Sequence, residues 1–175
     1  MFRHGSARVL SDVPGILFTC LREATGSDDV THFHVRRAES GDAAQIAICL
    51  QSLGYGADAD LVNAKLIAFG DDTDAVLVAC RGTLIVGVVS IHVTPLFHAP
   101  GHLARITALS IREGHKRQGV GTALMAAAEH WSWTSGASRV DLTSGNHRPE
   151  AHRFYESLGY GTDSRRFVKH RPADD

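Results

Sequence analysis

One stretch constrains this chain more than any other. Gly114-His115-Lys116-Arg117-Gln118-Gly119-Val120-Gly121 separates a β-branched strand pattern, Leu103 to Ile111, from a helical pattern that begins at Val120. Gly119 and Gly121 carry no side chain to block a ligand, so consecutive N–H groups at the turn and the helix start can all point at one anion. Lys116 and Arg117 add positive charge, and Thr122 adds a hydroxyl. Together these parts describe a diphosphate cradle. It is not the nucleotide P-loop, because no Lys-Ser or Lys-Thr pair follows the last glycine. It is not the dinucleotide fingerprint either, since there is no GxGxxG and the element lies late in the chain. Spacing alone is equally compatible with a tight strand–helix turn that binds nothing.

The elements around this turn define the fold class. Phe33 and Val35 alternate with polar neighbours as a first strand. Ser40 is the expected cap of a helix with Asp42 in its first turn and Ile46, Leu50 and Leu53 on one face. Val62, Leu66 and Phe69 give a second helix the same stripe. Ala75 to Cys80, the turn Arg81-Gly82 and Leu84 to Val93 predict a hairpin, in which Gly87 marks a bulge or a close backbone approach. After the glycine turn, Val120, Leu124, Ala128 and Trp131 share a helix face, and Val140 and Leu142 form another strand. Pro149 suits the first position of a helix carrying Ala151, Phe154, Tyr155 and Leu158, and Gly159 ends it. Tyr160 and Phe167-Val168 are expected to complete a last β portion. The order predicts an α/β (α+β) fold, a mixed central sheet flanked by helices. Residues 1–30 read as an N-terminal extension, closed by the polar break Gly26-Ser27-Asp28-Asp29, and residues 31–175 as one domain.

Composition narrows the partners. Lys and Arg number 18 against 19 Asp and Glu, a formal charge of -1, so no global field draws the chain to nucleic acid or an anionic membrane. No apolar run approaches the ~18 residues that span a bilayer. Cys20, Cys49 and Cys80 are far apart and have no metal-ligand spacing, so buried free thiols are expected. A cytoplasmic location fits these observations.

The motifs themselves resemble those of the GCN5-related N-acetyltransferase (GNAT) superfamily. Its central signature is Arg or Gln, two residues, Gly, one residue, then Gly or Ala, and here it reads Lys116-Arg117-Gln118-Gly119-Val120-Gly121. Lys116 stands where Arg or Gln is usual. The second signature is Asn, a few residues, Ala, then Phe-Tyr-Glu and Gly-Phe or Gly-Tyr. It is matched by Asn146 and the run Ala151-His152-Arg153-Phe154-Tyr155-Glu156-Ser157-Leu158-Gly159-Tyr160, with a longer spacing between Asn146 and Ala151.

The resemblance implies an N-acetyltransferase that binds acetyl-CoA and passes the acetyl group to an amine in a ternary complex. It implies that Leu109-Ser110-Ile111 pairs with the pantetheine arm. It further implies that Lys116 to Thr122, Asn146 and His152 serve the cofactor, and that Tyr155 protonates the departing thiolate. Tyrosine, with an ordinary pKa of about 10, holds its proton at neutral pH. A backbone N–H of Leu109 or Ile111 is the expected polariser of the thioester carbonyl. Some relatives carry a base at the position of Arg105, which cannot take a proton. Arg105 therefore reads as a substrate contact or half of an ion pair. His92, His98, His102 and His147 are the candidate bases, with His98 and His102 also candidate substrate contacts. The preferred acceptor is a small-molecule amine. Alternatives are a protein or peptide amine and a non-catalytic acyl-CoA-binding module. A homodimer is the default for such a fold.

Overall fold

A computed structural model describes residues 18–19, 33–54, 56–69, 72–163 and 165–172. The chain divides into two compact units, Met1–Thr143 and Ser144–Asp175. The first contains a sheet in the order β1 (Phe18–Thr19), β2 (His34–Arg37), β3 (Asp74–Arg81), β4 (Leu84–Pro95), β5 (His102–Ile111), β6 (Ala137–Leu142). Neighbours are antiparallel as far as β5, and β5 and β6 are parallel. Helices α1 (Ala43–Gln51) and α2 (Ala59–Ala68) lie between β2 and β3 in sequence, and α3 (Val120–Thr134) connects β5 to β6. This is the predicted mixed sheet with helices.

β4 is central and covered on both faces, so Ile85, Val86, Val88, Val89 and Ile91 are all buried. Such a strand reads as a continuous apolar run rather than an alternation, and each of these side chains contributes about 1.5–3 kcal/mol by leaving water. On one face, Val88 joins Val78, Cys80, Ile46, Ala47, Cys49 and Val62 under α1 and α2. The other face receives α3 at Gly87, where an added Cβ would stand 2.9 Å from Leu124 Cδ1 and 3.0 Å from Val120 Cγ1. Both readings of Gly87 hold, since the β3–β4 register also shifts between Ala79 and Cys80, opposite Gly87 and Ile85. Cys49 and Cys80 are buried free thiols, pushed up in pKa by burial, and Cys20 lies outside the described residues.

Two expectations are corrected, and a short strand falls within the residues read as an extension. Ser40 does not cap α1: residues Ser40–Asp42 form a short 3-10 turn, and Asp42 is the N-cap. The reason is Arg36, whose guanidinium grips both Asp42 carboxylate oxygens at 2.6 and 2.8 Å while the Glu39 N–H donates to the same carboxylate. Part of the expected extension joins the sheet, with Phe18 opposite Val35 and Thr19 opposite His34. The expected last β portion is not a strand among the described residues. Phe167 and Val168 are 91% and 56% exposed, and charged neighbours on either side leave no alternating face to bury.

The second unit contains α4 (Pro149–Ser157), opened by Pro149 as predicted and followed by Gly159 at φ 90°. The Tyr160 N–H returns to the Tyr155 carbonyl at 3.1 Å and closes the helix end.

Candidate functional site

The sheet opens at β5. Its parallel pairing with β6 ends at Ile106 opposite Leu142, whereas its pairing with β4 continues to Ile111 opposite Gly87. Beyond Ile106, β5 therefore has a ladder partner on one side only. The Arg112 N–H donates to the Val86 carbonyl at 2.9 Å, just past the Gly87–Ile111 pair. Backbone direction alternates residue by residue. Ser110 thus turns its N–H and C=O towards β4, and Leu109 and Ile111 turn theirs away from it. An extended ligand can add to such an edge as a strand does.

This corrects one sequence expectation. Ser110 is buried, and its hydroxyl donates to the Cys49 carbonyl and pairs with Ser52 Oγ at 2.9 Å. It is a link to α1, with neither side chain nor main chain offered to a cofactor. Leu109 keeps both backbone groups and Ile111 its N–H, the Ile111 carbonyl accepting from Ser52 Oγ at 3.5 Å.

The edge runs directly into the glycine turn. Gly114, Arg117 and Gly119 have φ of 81°, 61° and 83°. At Gly119 a side chain would be strained by backbone conformation, although no atom lies within 4 Å of its Cβ position. Arg117 is the one non-glycine with positive φ among the described residues, a conformation held at a cost of about 1–2 kcal/mol. Gln118 pins the loop by donating to the Gly114 carbonyl at 3.0 Å and accepting from Arg81 at 2.9 Å. Gly119 is the N-cap of α3 and supplies no side-chain acceptor, so the amides of the first turn face outward at the positive end of the helix dipole. Val120 is buried and can offer only its N–H, while Thr122 is exposed. Lys116 pairs with Glu113 at 2.7 Å, which lowers the Glu113 pKa through the hydrogen bond from Lys116. Among the described residues, the buried Nδ1 of His115 and Nε of Arg81 have no hydrogen-bond partner. A backbone nest with unmet donors at a helix start fits a diphosphate.

A polar row crosses the sheet just below this opening. Successive register partners are Asp74 on β3, His92 on β4, Arg105 on β5 and Asp141 on β6. Arg105 Nη1 reaches both carboxylate oxygens of Asp141, at 3.0 and 3.1 Å. Of the two readings for Arg105 the structure favours the ion pair, because its Nη1 already donates to the Asp141 carboxylate. His92 Nδ1 lies 2.5 Å from Asp74 Oδ1, and its Nε2 lies 3.0 Å from the hydroxyl of Thr107. Thr107 is the extra residue of a β-bulge, set between the pairs Ser90–Ala108 and Ile91–Ile106. Asp74 and Thr107 were not apparent from the sequence. They sit on different strands, and only the hairpin register, shifted near Gly87, brings them to His92.

His102 is corrected as a substrate contact. It begins β5, at the opposite end from Leu109, about 20 Å away at about 3.3 Å per residue. Its ring turns instead to the Gly136 carbonyl at 3.4 Å. His98 is exposed in the loop that precedes this same distant end. Asp58 caps α2 by accepting the Leu61 N–H at 2.8 Å.

The second unit holds Asn146, His147, His152 and Tyr155. Asn146 is exposed, and the His147 ring packs over Gly145. His152 Nε2 approaches the Gly145 carbonyl at 3.0 Å and so braces the segment that leads into α4. Tyr155 packs between Phe154 and Tyr160, with ring centroids 5.3 and 6.1 Å away. Burial raises the Tyr155 pKa above the ordinary phenol value, opposed by the positive charge of Arg148.

Comparison with known proteins gives a consistent result. The model of the acetyltransferase (GNAT) family matches residues 48–160. The aminoalkylphosphonate N-acetyltransferase of Salmonella typhimurium is 30% identical over 134 residues, covering 75% of this chain and 85% of that protein. A transcriptional regulator from Bacillus halodurans superposes with a TM-score of 0.71 at 25% identity, over 80% of this chain and all of its own. An aminoglycoside N-acetyltransferase crystallised with CoA superposes with a TM-score of 0.73 at 13% identity, over 84% of this chain and 99% of its own.

Proposed function

The chain belongs to the acetyltransferase (GNAT) family, and on that premise we propose that it transfers the acetyl group of acetyl-CoA to the primary amine of a small molecule. The observation that carries this reading is the continuous run of backbone donors from the one-sided stretch of β5, through the positive-φ turn, to the uncapped start of α3. Leu109 and Ile111 would hold the pantetheine arm by main-chain pairing. The turn from Lys116 to Gly121 and the start of α3 would hold the diphosphate. When bound, acetyl-CoA supplies an activated thioester.

The protein's own groups supply orientation and proton handling. The Leu109 N–H, turned away from β4, is the assigned donor to the carbonyl oxygen as negative charge develops there; one such fixed donor is worth about 2.7–4 kcal/mol. Tyr155 is the assigned acid for the leaving thiolate. Its raised pKa keeps the hydroxyl protonated across the neutral range.

A small amine is favoured over a peptide because the 30%-identical relative acts on aminoalkylphosphonates. The test is CoA release from acetyl-CoA with a panel of an aminoalkylphosphonate, an aminoglycoside, simple polyamines and a lysine peptide. Turnover with the small amines and not with the peptide is expected. Preference for the peptide would overturn the acceptor assignment. Failure to bind CoA in calorimetry would overturn the cofactor assignment.

A further inference from the structure

The polar row contains a proton relay that no sequence motif announces. Resting on the acetyltransferase reading above, we infer that Thr107, His92 and Asp74 together deprotonate the acceptor ammonium, with Thr107 touching the amine, His92 as the base and Asp74 as its positioning residue.

Three observations support this assignment. First, the order of contacts is directional: Asp74 Oδ1 meets His92 Nδ1 at 2.5 Å, and His92 Nε2 meets Thr107 Oγ1 at 3.0 Å. A carboxylate can only accept, so Nδ1 carries the proton and Nε2 presents its lone pair to the threonine hydroxyl. Second, burial falls along the chain of contacts. The Asp74 and His92 side chains are 20% and 29% exposed, while Thr107 is exposed. The relay therefore starts inside the sheet and ends at its surface. Third, the exposed end is well placed. The bulge puts Thr107 one residue past the last β5–β6 pair, at the start of the one-sided edge and two residues before Leu109. The strand geometry sets Thr107 about 7 Å along β5 from the assigned carbonyl donor.

The surroundings hold the imidazole in one orientation. Phe69, just past α2, meets the ring edge-to-face at 5.0 Å between centroids. Ser90 Oγ stands 3.5 Å from Nε2 and is a second, longer acceptor for the Thr107 hydroxyl at 3.4 Å, against 3.0 Å to Nε2. The charged groups facing the relay are Asp74 itself, Arg37 from β2, whose guanidinium bonds the Asp74 carbonyl at 2.7 Å, and Arg105 from β5, held to Asp141.

The proton balance closes. The ammonium N–H bond breaks and its proton passes to Thr107 Oγ1, while the threonine's own proton passes to His92 Nε2. The hydroxyl ends neutral, the amine gains a free lone pair, and the new imidazolium faces the Asp74 carboxylate. Water takes the proton from His92 between turnovers. No oxidant or further reactant is needed.

Thr107→Val is the cleanest test, because it is nearly isosteric and sits at the surface. With the best acceptor of the panel, Thr107→Val and His92→Gln are expected to lower kcat by about 10²-fold or more, with CoA affinity by calorimetry unchanged. Thr107→Ser should restore most of the rate. Asp74→Asn should shift the acidic limb of the kcat–pH profile rather than abolish binding. A measurement independent of any acceptor is the 15N spectrum of the histidines in the full chain, where His92 should show a protonated Nδ1. Retention of kcat within twofold by both Thr107→Val and His92→Gln would overturn the relay, as would a neutral His92 protonated on Nε2. Wild-type protein that binds no CoA would instead overturn the underlying reading, and that result is visible before any variant is made.

Discussion

Asp42 joins the capping box of the 3-10 turn to β2 through one carboxylate. It opens α1, and it receives Arg36 from β2 through two hydrogen bonds. The hydrogen bond from Arg36 lowers its pKa, against the opposing effect of burial. A depressed carboxylate stabilises the fold fully above its unfolded pKa of about 3.9 and loses that contribution as pH falls through the folded value. Asp42→Asn should therefore cost about 2 kcal/mol at neutral pH, the scale of hydrogen bonds to a charged partner. In denaturant titrations the gap from wild type should narrow below about pH 4. At Gly119 the expected cost is conformational rather than steric. Gly119→Ala should destabilise by about 1–2 kcal/mol and weaken CoA binding, because the turn relaxes away from positive φ. Tyr155→Phe should lower kcat by about 10²-fold with little change in CoA affinity. The wild-type alkaline limb should lie above about pH 10, since the Tyr155 pKa is raised from that ordinary phenol value. Full turnover by the phenylalanine variant would remove Tyr155 from the mechanism.

At the scale of elements, local signals were legible and cross-strand ones were not. The glycine turn, the hairpin, the helix stripes and Pro149 are encoded within a few residues, and all appear where the sequence places them. The special role of Gly87 was also visible, because a glycine in a β-branched strand needs a reason. Its consequence for packing is testable: Gly87→Val should cost about 1–3 kcal/mol through overpacking against Leu124, Val120 and Ile111. Thermal unfolding checks it, and a neutral result would show that α3 can shift. Ser110 and His102 differ from their expected roles, and Arg105 resolves to the ion-pair alternative, for a shared reason. All three lie on the strand that precedes the glycine turn, but which face and which end each occupies is set by pairing with β4 and β6. The helix start at Asp42 was missed because its decisive partner, Arg36, lies on the preceding strand. The expected last strand failed because two apolar residues among charges have no face to bury.

For the whole molecule, a formal charge of -1 means that an anionic cofactor is attracted locally or not at all. Lys116 already shares its charge with Glu113, so backbone dipoles and Arg117 provide much of the attraction. CoA affinity should consequently depend only weakly on ionic strength compared with a lysine-dominated site, which calorimetry at two salt concentrations would check. Ligand at 100 times its Kd should raise stability by about 2.7 kcal/mol if it binds the folded chain alone, and a thermal shift with and without CoA reads this directly.

The early end of the β5–β6 ladder has a consequence for solvent exchange. The Leu109 and Ile111 amides lie on a half-buried strand and have no strand partner on their side. In deuterated water they should lose their protons much sooner than Ser110, which bonds to β4 between them. Saturation with CoA should slow both and leave Ser110 unchanged, so a three-residue alternation would trace the cofactor's path without a ligand-bound structure.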